Sequence, residues 1–66
     1  MLVSIITTAL DNLWYEIWSG KEDGNDVFTA VRYDGELGMV KTVAVEWQRN
    51  HAERMARYDM ANLGIA

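Results

Sequence analysis

The hydrophobic and polar positions at the start of the chain follow a helical period. At about 100° per residue, most apolar residues between Met1 and Gly20 fall on one side of a helix, and most polar residues fall on the other. Gly20 is a natural stop for such a helix. The pattern predicts an amphipathic helix over residues 1–20. The alternative is a strand over residues 2–8, which are rich in β-branched side chains.

A second helical pattern runs from Glu36 to Asn62 and carries two apolar stripes. One stripe is centred on Trp47, and the other lies on nearly the opposite side. The members of the second stripe are Val45, Ala52, Ala56 and Leu63, flanked by Met60. Because Ala52 and Ala56 are four residues apart, they share one helix face and would let another helix approach closely. This stripe predicts a contact surface.

The segment between the two helical patterns has two interpretations. Residues 19–26 are polar and predict a loop. Residues 27–33 favour either a strand or a short helix. In the strand version, Asp34 and Gly35 open a turn that leads back into residues 39–45, which gives a β-hairpin over residues 27–45.

The fold predicted from these patterns is mainly α: an antiparallel helical hairpin with a long connecting segment. At about 1.5 Å per residue, the second helix is several turns longer than the first, so part of it stays uncovered. A homodimer that forms a four-helix bundle would cover the excess. The alternative fold class is α+β, with the hairpin at residues 27–45 between two helices.

Length and composition predict one small domain, residues 1–66, that needs extra stabilisation. A chain of 66 residues buries a small core, and domains of this size often add disulfides, metals or oligomerisation. The sequence has no cysteine and one histidine, His51, which leaves oligomerisation or partner binding. The net charge of −4 favours a neutral or basic partner over nucleic acid.

The N-terminus predicts a cytoplasmic protein that does not span a membrane. No lysine or arginine precedes the first apolar run, and no small-residue cleavage pattern follows it. Asp11 and Glu16 interrupt the run, which argues against a membrane helix.

No motif indicates catalysis, a cofactor or a metal site. Residues 20–24 contain glycines and a lysine without the spacing of a phosphate-binding loop, and the acidic residues 22–26 lack the ligand spacing of a calcium loop. His51 has no partner at a spacing that suggests a nucleophile–base pair. We therefore expect no enzymatic activity.

The aromatic and apolar residues left over by the predicted hairpin form the expected interface with a partner or a second copy. Tryptophan and tyrosine carry much of the binding energy at protein interfaces, and methionine offers adaptable apolar contact. The expected interface residues are Trp14, Trp18, Val45, Ala52, Met55, Ala56, Tyr58, Met60 and Leu63.

The functional hypothesis from the sequence is a small acidic protein–protein interaction module that binds a target protein and blocks it sterically. Small phage-encoded inhibitors of host proteins share this profile, which is an analogy of class only. The alternatives are a structural assembly subunit and a small nucleic-acid-binding regulator that uses Arg49, Arg54 and Arg57.

Overall fold

The fold is α+β: an antiparallel sheet followed by one helix. A computed structural model describes residues 1–65 of the chain. Its elements in chain order are β1 (Leu2–Thr7), β2 (Leu13–Glu22), β3 (Asn25–Asp34), β4 (Met39–Glu46) and α1 (Arg49–Asn62). The strands lie in the sheet in chain order, and each pairs with the next in antiparallel fashion.

The predicted mainly-α helical hairpin, and with it the four-helix bundle, is wrong. Residues 1–20 form β1 and most of β2 instead of a helix, and residues 39–46 form β4, so the helix begins at Arg49. The β-hairpin of the alternative fold is present as β3 and β4, but two further strands precede it. The strand alternative for residues 2–8 agrees with β1.

The connection between β2 and β3 is a two-residue turn with a clear sequence signal. Asp23 and Gly24 both have positive φ angles, of 51° and 81°. Two central residues with positive φ define the type I′ turn, for which Asp-Gly is a preferred pair because its twist matches that of the strands. The polar loop predicted at residues 19–26 is therefore the tip of a long hairpin.

The turn between β3 and β4 is stabilised by side-chain hydrogen bonds to the backbone. The Asp34 side chain accepts hydrogen bonds from the backbone N–H groups of Glu36 and Leu37, at 3.1 and 3.0 Å. An aspartate that bonds the backbone two or three residues ahead stabilises a turn. Asp34 and Gly35 thus open the turn that the sequence predicts at this point.

Two irregularities in the pairing change which way side chains point. The register of β1 against β2 shifts between Leu2 and Ser4, and the register of β3 against β4 shifts after Ala30, which leaves Val43 as an extra residue. A β-bulge of this kind breaks the alternation of faces along a strand. Val3 and Val43 consequently pack against the core although they interrupt a simple period of two.

The helix covers one face of the sheet, and the core lies between them. It contacts β2, β3 and β4. The buried residues of the core are Ile6, Leu13, Tyr15, Ile17, Ala30, Ala52, Ala56 and Met60. Alanines on both surfaces, at 30, 52 and 56, are fully buried, so the helix backbone lies close to the sheet.

A polar triad joins the helix to the middle of the sheet. The Tyr15 hydroxyl donates to one carboxylate oxygen of Asp59 at 2.6 Å, and Arg32 Nη1 donates to the same oxygen at 2.6 Å. The side chains of Arg32 and Asp59 are 17% and 21% exposed, so this ion pair is well shielded from solvent. Hydrogen bonds to charged groups contribute more than neutral ones.

The N-terminal turn of the helix is tied to the edge strand β1. Arg49 Nη2 donates to the carbonyl oxygen of Val3 at 2.8 Å and to Ser4 Oγ at 2.7 Å, and Ser4 donates in turn to Glu53 at 2.8 Å. These bonds occupy a backbone acceptor beside the β1 bulge. Together with the bulge, they make this edge a poor template for pairing with another strand.

We predict that Asp59→Ala lowers the free energy of unfolding by about 2–3 kcal/mol, because it leaves the buried Tyr15 hydroxyl and the Arg32 guanidinium without their acceptor. The matched control is Asp26→Ala, which removes the exposed ion pair with Lys21 and should cost under about 1 kcal/mol. Urea denaturation measures both. Equal losses in the two variants would contradict a structural role for the triad.

The same triad predicts a response to alkaline pH. Burial and the neighbouring Asp59 carboxylate raise the pKa of Tyr15 to about 12 from its ordinary value of 10.0. Because the folded-state pKa is the higher one, the stability that the neutral phenol contributes is fully present below pH 10 and is lost as the pH rises through about 12. We expect the stability difference between the wild type and Tyr15→Phe to change between these two values, as measured by denaturation at stepped pH. A difference independent of pH in this window would contradict the raised pKa.

Candidate functional site

The face of the sheet away from the helix is covered by no element of the described chain, and its residues form a regular grid. The strand registers place three rows of four side chains across β1, β2, β3 and β4. The rows are Thr7, Trp14, Tyr33 and Val40; Ile5, Glu16, Val31 and Thr42; and Leu2, Trp18, Thr29 and Val45. We call these twelve residues the open face.

Large apolar side chains on the open face are exposed to solvent. The exposed fraction is 57% for Ile5, 62% for Val40 and 54% for Val45, and it is 39% for Trp18. A single exposed hydrophobic residue on a protein surface is ordinary, whereas large contiguous groups of them are less common and often functional. The open face is contiguous because its members are cross-strand neighbours.

Aromatic rings and one carboxylate occupy the centre of the open face. Trp14 and Tyr33 stack with their ring centroids 5.5 Å apart and their planes inclined by 4°. The two oxygens of Glu16 each accept a hydrogen bond from an indole N–H, from Trp14 at 2.9 Å and from Trp18 at 2.8 Å. Residues 14, 16 and 18 share one face of β2, which brings these three side chains together.

Glu16 contributes to the raised pKa of the neighbouring Tyr33 hydroxyl. The pKa of Tyr33 is raised above its ordinary value of 10.0, first by desolvation and second by the negative charge of Glu16. Deprotonation of Tyr33 would place a second anion beside the carboxylate. At neutral pH the open face therefore carries a neutral Tyr33.

The two faces of the sheet differ in the charged side chains that they carry. Within residues 1–65, every lysine and arginine lies on the helix or on the helix side of the sheet: Lys21, Arg32, Lys41, Arg49, Arg54 and Arg57. The cross-strand neighbours of Glu16 on the open face are Ile5 and Val31, both apolar. In the described part of the chain Glu16 forms no ion pair.

The sequence-predicted interface residues divide into three groups. Trp14, Trp18 and Val45 lie on the open face. Ala52 and Ala56 are fully buried and Met60 is 7% exposed, all against the sheet of the same chain. These three members of the stripe that predicted a second copy are therefore core within one chain, because the helix packs on its own sheet, whereas Val45 and Leu63 are exposed.

The remaining predicted interface residues lie on the outer surface of the helix or just after it. Met55, Tyr58 and Leu63 are exposed there. Met55 and Tyr58 line a shallow depression with Glu46, His51 and Arg54. These side chains are a separate surface from the open face, on the opposite side of the sheet.

Several open-face residues were not predicted from the sequence. Glu16 and Tyr33 lie at its centre, and Ile5 and Val40 at its sides. The available signal was the alternation around β2, where Trp14, Glu16 and Trp18 occupy every second position between the buried Tyr15 and Ile17. Because apolar residues occupy both the helix-facing and the open-face positions of β2, the alternation does not appear as a change in hydropathy along the sequence.

Outside the open face, the described residues offer few candidate ligand-binding sites. Trp47, predicted at the centre of a helix stripe, lies in the β4–α1 connection, is 62% exposed and lines a cavity with Asn25 and Asp26. Among residues 1–65 there is no group of three histidine, cysteine or acidic side chains placed to hold a metal ion. The described segment also contains no helix with the length and hydropathy needed to span a membrane.

No protein-family model, curated protein or solved structure matches this chain. The residues of the open face and their geometry are therefore the basis for inferring a function.

We predict that Glu16→Gln lowers the pKa of Tyr33 toward its ordinary value, because the substitution removes the negative charge that opposes deprotonation. Glu22→Gln, which removes a carboxylate from the far end of the same strand, is the matched control and should leave Tyr33 unaffected. NMR titration of the Tyr33 ring signals measures the change. An unchanged pKa in Glu16→Gln would show that the carboxylate is not beside Tyr33.

Proposed function

We propose that this protein is a non-enzymatic binding module that engages a target protein through the open face and thereby blocks the target surface that it covers. The observation that carries the proposal is the composition of the open face: eleven of its twelve residues are uncharged, and they form one contiguous array. With strands about 4.8 Å apart and successive rows about 6.8 Å apart, the array covers roughly 400 Å². Eight of the twelve residues are aliphatic or aromatic, and large contiguous groups of exposed apolar side chains are often functional.

The aromatic residues of the open face suit a binding role. Trp14, Trp18 and Tyr33 are of the types that dominate the energetics of protein interfaces. Their rings are restrained before any partner arrives, by the stack of Trp14 on Tyr33 and by the indole bonds to Glu16. Side chains that are already ordered lose less entropy on binding, which favours affinity.

The charges on the open face favour a protein over a nucleic acid as the partner. Exposed aromatic rings on a sheet can stack on unpaired bases, but such sites combine the rings with cations that bind the phosphate backbone. In the described chain the lysines and arginines lie on the helix or the helix side of the sheet, and the open face carries Glu16 at its centre. A phosphate backbone on this surface would be repelled.

The same carboxylate disfavours a second copy of the chain as the occupant of the open face. A twofold dimer through this surface would bring two Glu16 side chains into one interface without a cation to compensate them. Burial of unpaired charges is strongly unfavourable. A different protein that places a cation beside Glu16 would compensate the charge of the carboxylate.

A binding role also agrees with the way in which the reactive side chains are held. Tyr15 donates to Asp59 within the triad, and its raised pKa keeps the phenol protonated at neutral pH, so little phenolate is present to act as a base. Ser4 donates to Glu53, an acceptor that Arg49 also contacts. These groups are bonded to one another in positions that join the helix to the sheet.

The test is capture of partners from an extract of the native host with the immobilised chain, followed by identification of the captured protein and measurement of its affinity. We predict that Trp18→Ser and Ile5→Ser each weaken that affinity by about tenfold or more, since each removes an exposed apolar contact from the open face. Tyr58→Ser and Met55→Ser are matched controls on the outer helix surface and should bind as the wild type does.

Circular dichroism of each variant checks that the fold is retained. Loss of binding confined to the Tyr58 and Met55 variants would transfer the interface to the helix. A wild-type chain that retains no partner would contradict the proposed function.

A further inference from the structure

Glu16 is a carboxylate with unused acceptor capacity. An ionised carboxylate offers about four lone-pair sites on its two oxygens. The indole N–H groups of Trp14 and Trp18 occupy one site on each oxygen. The Tyr33 hydroxyl is a third donor close to the carboxylate, so at least one acceptor site stays available to a donor that arrives from solvent.

The two indoles also determine how Glu16 is presented. Each oxygen is tethered by its own tryptophan, and Trp14 is restrained in addition by its stack on Tyr33. The carboxylate is therefore ordered without an ion pair, and aromatic rings flank it on both sides along β2. Because an indole N–H donates in the plane of its ring, the carboxylate lies at the edges of the two rings, which restrict the directions from which a cation can approach it.

Arginine matches this arrangement better than any other protein side chain. Its planar guanidinium donates two parallel hydrogen bonds to the two oxygens of a carboxylate, and it stacks on aromatic rings. It is also more weakly hydrated than the ammonium group of lysine, so the free energy lost on desolvation at a partly apolar surface is smaller. The charges complement each other, because the open face contributes an anion and no cation.

We propose that the open face recognises an arginine side chain of its protein partner, with the guanidinium bonded to Glu16 between Trp14 and Trp18. This inference rests on the proposed function, because it assigns the chemistry of the partner at the same surface. The surrounding aliphatic residues, Ile5 and Val31 across the strands, would contact apolar groups next to that arginine.

The experiment is an NMR titration of the isotope-labelled full chain with three capped tripeptides. Their sequences are glycine–X–glycine, where X is arginine, lysine or citrulline, the neutral analogue of arginine with nearly the same shape. The observed signals are the three indole N–H groups, of which Trp47 in the β4–α1 connection is the internal reference. The same titrations are repeated with Glu16→Gln and with Glu22→Gln.

We expect the arginine peptide to shift the Trp14 and Trp18 signals more than the Trp47 signal, and to bind about three- to fivefold more tightly than the citrulline peptide. The lysine peptide should bind more weakly than the arginine peptide. Glu16→Gln should abolish the preference for arginine, and Glu22→Gln should retain it. Equal binding of arginine and citrulline, equal binding of arginine and lysine, or a preference that survives Glu16→Gln would each overturn the proposal.

The captured partner separates failure of this inference from failure of the proposed function. If Trp18→Ser loses the partner while Glu16→Gln binds it with wild-type affinity, the open face is the interface but the arginine site is refuted. If both variants keep the partner, the proposed function fails as well.

Discussion

The organisation of this protein depends on one geometric constraint: its single helix can cover only one face of its sheet. The 14 residues of α1 lie across β2, β3 and β4, where small side chains at 30, 52 and 56 allow close contact. The triad of Tyr15, Asp59 and Arg32 supplies a directional bond between the two layers. Everything on the other face of the sheet is left to solvent or to a partner.

The uncovered face differs from the solvated face of an ordinary antiparallel sheet. Such faces are usually polar, and they alternate with an apolar core face. Here both faces are largely apolar, and the single charge on the open face, Glu16, is held by two tryptophans instead of a cation. This apolar surface outside the core is the basis of the proposed binding role.

This two-sided character explains what the sequence predicted and what it did not. Because both faces of β2 are apolar, residues 1–20 fit a helical period about as well as a strand, and bulges at Val3 and Val43 removed the remaining alternation. The turn at Asp34 and most of the helix were accessible from local patterns. The centre of the open face could not be predicted from local patterns. Only the register of three strand pairs brings Glu16 beside Tyr33, and the same registers place the lysines and arginines of the strands on the helix side of the sheet.

The one-sided packing of the helix on the sheet is tested by the solvent exposure of the two sheet faces in the free protein, measured by NMR with a soluble paramagnetic agent at low protein concentration. We expect strong broadening of the methyl signals of Ile5, Val40 and Val45 on the open face, and protection of the Ala52 and Ala56 methyls beneath the helix. Equal protection of both sets would show that the open face is already covered in the free protein, and strong broadening of the alanine methyls would show that the helix does not pack on the sheet. Either result would contradict a sheet that is covered by the helix on one face only.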